Sequence, residues 1–200
     1  MTMESKSYPV TLRGELSIPP GRWLWLIKWL LIVPHLFILC FLTFAACILT
    51  IIAFFAILFT GKYPKSIFDF NVGVMRWTWR VSFYSYNALG TDKYPPFSLS
   101  PDPNYPADLE AAYPEKLSRG LIFIKWLLAL PHWIIIGIFN GWRSLGLITV
   151  LALVNAIILL FSGNFIGELF YLLVGMNRWT YRVYAYVFLM RDEYPPFWLD

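Results

Sequence analysis

The chain has 200 residues, of which 58% are apolar, 20% aromatic and only 14% charged, with a formal net charge of +4. A soluble domain carries about a quarter charged residues, and a fold this small cannot bury so much apolar surface; the same composition excludes a disordered chain. An all-α integral membrane protein is therefore expected, its basic excess reporting orientation and anionic headgroups and not nucleic acid.

The segment before Arg22 contains Glu and Pro and lacks a short apolar core with a cleavage site, so it does not read as a cleavable signal peptide. From Trp29 to Gly61, 33 consecutive positions carry no Asp, Glu, Lys or Arg. One straight helix of that length would be ~50 Å long against ~30 Å for a hydrocarbon core. A transmembrane hairpin over about 22–61 is expected, turning near Thr43–Cys47, with Cys40 and Cys47 as small buried hydrophobes. A helix over about 66–89 follows, and Pro64 suits its entry. Asp69, Gly73, Arg76, Arg80 and Asn87 form one stripe; Phe68, Val72, Met75, Trp79 and Phe83 form the other. Such an amphipathic helix is expected to lie in the headgroup plane. The Pro- and acid-rich stretch 101–111 reads as a linker.

The chain then repeats itself. Arg22, Lys28, Trp29, Pro34 and His35 return 97 positions later as Arg119, Lys125, Trp126, Pro131 and His132. G-V-M-R-W-T-W-R-V from Gly73 returns 102 positions later as G-M-N-R-W-T-Y-R-V from Gly175, and D-K-Y-P-P-F-S-L ending at Leu99 matches D-E-Y-P-P-F-W-L ending at Leu199. Two tandem repeats follow, 1–100 and 112–200, the second with a hairpin over about 119–163 and an amphipathic helix over about 167–190. The five extra residues of the second copy fall where N-G-W-R-S-L-G marks a turn at Asn140–Gly146. With two spans per repeat, every charge except Arg143 lies on one side. Both termini and the Thr91–Arg119 linker are then expected in the cytoplasm, with Arg143 outside.

K-W-L-L-x-x-P-H, F-T-G-K-Y-P, R-W-T-W-R and Y-P-P-F together resemble a bacterial domain-of-unknown-function membrane family of the DUF4389 type, often present in tandem in small membrane proteins. The resemblance covers nearly the whole chain; the second copy departs from it with F-S-G-N-F. It implies a bacterial cytoplasmic (inner) membrane and brings no activity, so no catalytic residues are carried over.

Among candidate sites, Arg76/Arg80 and Arg178/Arg182 sit at i,i+4, each pair on one helical face suited to a lipid headgroup or a partner. His35 and His132 are the only histidines. Facing each other across a four-helix bundle they would ligate a haem iron. The plainer expectation is that each follows a helix-kinking Pro, bonds the carbonyls the kink releases, and binds no cofactor. Tyr-Pro occurs six times, at Tyr8, Tyr63, Tyr94, Tyr105, Tyr113 and Tyr194, and reads as a set of surface anchors. No acidic residue lies within a span, and no phosphate loop, metal-ligand cluster or nucleophile motif is present, so an enzyme is not expected. The expected role is a non-catalytic accessory or scaffold subunit of the multi-pass type, associating with other membrane proteins or with itself. The alternatives are a small channel, transporter or lipid-handling protein, and then a bis-histidine haem electron carrier.

Overall fold

Pro34 and Pro131 each start a second apolar helix after a shorter one, because a proline takes the first helical positions without needing its missing N–H. The computed structural model describes residues 8–16, 19–142 and 145–199. Its order is β1 (Val10–Gly14), α1 (Trp25–Leu31), α2 (Val33–Thr60), α3 (Lys65–Tyr84), β2 (Ala107–Ala111), α4 (Leu121–Leu128), α5 (Leu130–Asn140), α6 (Leu147–Ser162) and α7 (Gly167–Val187).

The expected hairpin of the first repeat is not formed. α2 is one unbroken helix of 28 residues, closed by Gly61 in the left-handed region at φ 71°. Its Phe-Leu-Thr-Phe-Ala-Ala-Cys stretch contains no turn former, and the apolar run breaks instead near its start, at Ile32 between α1 and α2. At ~1.5 Å per residue α2 is ~42 Å long. Among the described residues it is the one single helix long and apolar enough to cross a membrane; α4 and α5, bent by 46°, qualify only as a pair.

The second hairpin is also replaced. Lys125 lies over the Tyr186 ring, His132 meets Trp179, and Asn155 bonds Ile166 at the start of α7. Contacts therefore descend α7 as the chain ascends through α4, α5 and α6. Repeat 1 gives the same order along α3, with Lys28 at Tyr84, His35 at Trp77 and Thr50 at Asn71. α5 and α6 thus follow one another as α2 does in a single piece, and the five extra residues interrupt the run without reversing it. Arg143 lies outside the described residues.

The 101–111 stretch is more than a linker, for it holds β2. β1 and β2 pair antiparallel, with Leu12 opposite Leu109 and Val10 opposite Ala111. Y-P-V-T-L at Tyr8 and Y-P-A-D-L at Tyr105 are 97 positions apart, the same shift as between Lys28 and Lys125. Each repeat therefore begins with its strand.

α3 and α7 are shorter than expected, and both are core helices buried on more than one side. Phe68, Trp79, Phe83, Phe170 and Val174 are buried together with Val10, Leu12 and Leu109 of the sheet. The two helices meet through Trp79–Tyr181 and Phe83–Phe170. The Arg stripe on the other side is covered as well, as described below.

The apolar helices α2, α5 and α6 pack one side on this core and expose the other. On α2 the exposed residues include Phe37, Phe41, Phe44, Ile48, Ile51, Phe55 and Phe59, at helical spacing. Cys40 and Cys47 lie on that open side, exposed and not buried as expected. The repeats also close each other's helix ends. A Cβ on Gly163, which caps α6, would fall on the Arg22 guanidinium, and Gly61 at the end of α2 lies beside Arg119. Cations there complement the negative ends of the helix dipoles.

Candidate functional site

The three repeated motifs, distant in sequence, converge at the α1–α2 break of repeat 1 and at the α4–α5 break of repeat 2. The Lys28 ammonium is fully buried, donates to the Thr91 carbonyl at 2.7 Å and forms an ion pair with the Asp92 carboxylate at 3.0 Å, with the Tyr84 ring 4.6 Å away. Lys125 does the same with the Arg191 carbonyl at 2.7 Å, Asp192 at 2.7 Å and the Tyr186 ring at 5.2 Å. Burial, reinforced by the Asp92 carboxylate, pushes the Tyr84 phenol up to about 12. A buried ammonium is tolerated only with such partners.

Two helical turns beyond, His35 is fully buried. Its Nδ1 accepts from the Trp77 indole at 3.0 Å, its ring stacks on Phe97 at 3.9 Å, and Tyr94 leans on it at 4.9 Å. His132 repeats this with Trp179 at 2.9 Å, Phe197 at 4.3 Å and Tyr194 at 4.9 Å. The carbonyls at the helix breaks, Leu31 and Leu128, are bonded by the Tyr94 and Tyr194 hydroxyls at 2.9 and 3.0 Å. The expectation that the histidines do this work is corrected: the Y-P-P-F tyrosines do it.

The arrangement does not fit a haem. Indole N–H is a donor only, so Nδ1 must be the acceptor and the neutral ring carries its proton on Nε2. An Nε2 holding a proton offers no lone pair to iron, and Phe97 or Phe197 covers the ring face. Among the described residues no group of three or more His, Cys, Asp or Glu could hold a metal ion.

The arginine stripes meet protein. Arg80 is fully buried; it donates to the Ser100 carbonyl at 2.9 Å and lies 3.3 Å from Asp108, whose carboxylate also sits 2.8 Å from Arg76 Nε. Arg76 donates further to the Leu99 carbonyl at 2.8 Å, and Arg178 to the Leu199 carbonyl at 3.1 Å and the Leu12 carbonyl at 3.4 Å. Arg182 is 6% exposed and donates to the Trp198 carbonyl at 3.4 Å. None of the four opens broadly to a headgroup; they hold the segment after Y-P-P-F against α3 and α7. The repeated glycines serve the same docking, because a Cβ on Gly73 would lie 2.8 Å from the Leu99 Cβ and one on Gly175 2.9 Å from the Leu199 carbonyl. Nor are the Tyr-Pro tyrosines uniformly surface anchors: Tyr63 and Tyr105 are in the core.

Sequence reasoning placed His35, His132 and the arginines on repeated motifs but missed what joins them: Trp77, Asp92 and Phe97 with their counterparts Trp179, Asp192 and Phe197, and Asp108, whose place in the first repeat is taken by Thr11. The signal was present, since Asp, Tyr and Phe of D-x-Y-P-P-F recur in both copies. The model of a domain of unknown function, DUF4389, matches residues 22–98 and again 119–199. The chain belongs to the DUF4389 family and carries the domain twice. Each DUF4389 copy contains one Lys–His–Trp–Tyr cluster, while the strands β1 and β2 precede the matched segments. No curated protein and no solved structure matches the chain.

Proposed function

We propose that this protein is a non-catalytic scaffold seated on one face of a membrane, presenting its polar head to partner subunits or to a second copy of itself. The observation that carries the reading is the exposed apolar side shared by α2, α5 and α6, far larger than a soluble monomer leaves open. Trp29 of α1, Trp126 of α4, Trp23 just before α1 and Trp142 just after α5 also stand exposed, and tryptophan prefers the boundary between bilayer and water.

One-sided seating is favoured over four spans by how the helices are lashed together. α2 lies lengthwise on α3, and α3 lies lengthwise on the polar head: Phe68 meets Tyr113, Arg76 meets Asp108, Trp79 bonds the Arg13 carbonyl and Tyr84 meets Tyr94. To cross, α2 would carry Asp108, Arg76 and Arg80 into the hydrocarbon, where each charge costs about 3 kcal/mol on the insertion scale. The local two-fold relation of β1 and β2 adds support. An antiparallel pair centred on equivalent residues, as this one is on Leu12 and Leu109, has its two-fold axis normal to the sheet, which would set α2 and α5–α6 at one height. Exposed Arg22, Lys62 and Arg119 at the helix ends would meet anionic headgroups at about 1 kcal/mol each, which favours a cytoplasmic head.

Isolation of the full chain in mild detergent, followed by native mass measurement, tests the scaffold role. A discrete heterologous complex or a defined homo-oligomer supports it; a monomer under all mild conditions overturns it.

A further inference from the structure

A cavity of about 280 Å³ lies between α2, α3 and α7, lined mainly by apolar groups of Ala46, Val74, Met75, Tyr184 and Phe188, with Asn71 on its wall and exposed Thr43 at its edge. Asn71 is 2% exposed. Its amide donates to the Tyr63 hydroxyl at 2.9 Å and to Thr50 Oγ1 at 3.2 Å. Both hydroxyls use their own protons elsewhere, on the Phe188 carbonyl at 3.4 Å and the Ala46 carbonyl at 2.8 Å. They can only accept from Asn71, so the orientation of the amide is fixed. Its Oδ1 then has no donor among the described residues, and a buried acceptor left in that state is costly.

We propose that this cavity binds a neutral hydroxyl-bearing lipid, a fatty alcohol or an acylglycerol, whose hydroxyl donates to Asn71 Oδ1 while its chain fills the apolar walls. The chemistry of the acceptor selects the class. A carboxylate has no proton to give and would face another acceptor; a plain hydrocarbon leaves Oδ1 unsatisfied; an ammonium finds no carboxylate in the lining. The bilayer is the source, because exposed Thr43 at the cavity's edge lies near the middle of α2. The source alone rests on the seating proposed above; the selectivity rests on Asn71.

The test uses the full chain in detergent, so that failure of membrane seating and failure of the site are separate results. A diazirine-bearing fatty alcohol and its methyl ether, alike but for the donor, are photolysed with the protein and the labelled peptides mapped. The alcohol should label segments around Ala46 and Val74 roughly fivefold to tenfold more than the ether, the discrimination of one buried hydrogen bond, and unlabelled monoacylglycerol should compete. Asn71→Leu should equalise the two probes. Thr43→Trp, at an exposed position, should block both and leaves a test standing if Asn71→Leu does not fold. Equal labelling by alcohol and ether in the wild type, or undiminished labelling in Thr43→Trp, overturns the proposal.

Discussion

Leu12 and Leu109 face each other across the β1–β2 register and are also equivalent positions of the two repeats, 97 residues apart. The local two-fold axis therefore passes through this pair, and each strand belongs as much to the core of the other repeat as to its own. Val174 and Phe83, for instance, both approach Gly14. Leu12 is 4% exposed and Leu109 fully buried, so Leu→Ala at either should cost about 2–5 kcal/mol. Denaturant unfolding of the two variants in the same detergent should give comparable losses. A large loss for one and none for the other would contradict a shared core.

Asp108 is the second test of that core. It joins Arg76 and Arg80 where all three side chains are buried, and removing the carboxylate leaves two guanidinium groups without their counter-charge. Asp108→Ala should destabilise by about 3–5 kcal/mol. Asp69→Ala breaks only the exposed Lys65–Asp69 pair and should change stability by about 1 kcal/mol or less. Parallel melting curves check the contrast, and equal shifts would count against it.

The histidines yield a spectroscopic prediction. Nitrogen NMR of the detergent-solubilised protein should show both rings as neutral Nε2–H tautomers, fixed by the indoles of Trp77 and Trp179. Added haem should give no bis-histidine spectrum in the wild type. Trp77→Phe removes the donor and should change the tautomer balance of His35 while leaving His132 as it was. An Nδ1–H tautomer at either position in the wild type would show that the indole bond is not what orients the ring.

Gly73→Ala and Gly175→Ala should each loosen the segment after Y-P-P-F, since the backbone of Leu99 or Leu199 occupies the space of the new methyl group. Proteolysis in the Phe97–Asp102 region should quicken in Gly73→Ala and not in Gly175→Ala, which should expose the C-terminal segment instead. Gly120→Ala, at a position with open space around it, serves as the neutral control.

Duplication, helical content and the membrane-like composition were legible from residues alone, because each is a count or a spacing. The path of the apolar run was not. Length argued for a turn in Thr43–Cys47, and only packing of Leu39, Ala46, Ala53 and Ile57 along one side shows that a single long helix is held there. The arginine stripes misled for a related reason. Arg at i,i+4 opposite aromatics is the same pattern whether the guanidinium meets phosphate or internal carbonyls and Asp108, and the partner lies in a segment that reads as a linker. The Tyr-Pro motifs are alike in sequence, yet Tyr94 bonds the Leu31 carbonyl while Tyr63 receives Asn71 in the core.

One-sided seating is tested most directly by where the two ends of α2 reside. In a chain with Cys40 and Cys47 changed to Ala, single cysteines at Lys62 and Lys93, both exposed and at opposite ends of that helix, are treated with an impermeant maleimide in right-side-out and in inverted membrane vesicles. Both positions should react in inverted vesicles and neither in right-side-out ones. Reaction of one from each side would show that α2 crosses the bilayer and would contradict the account.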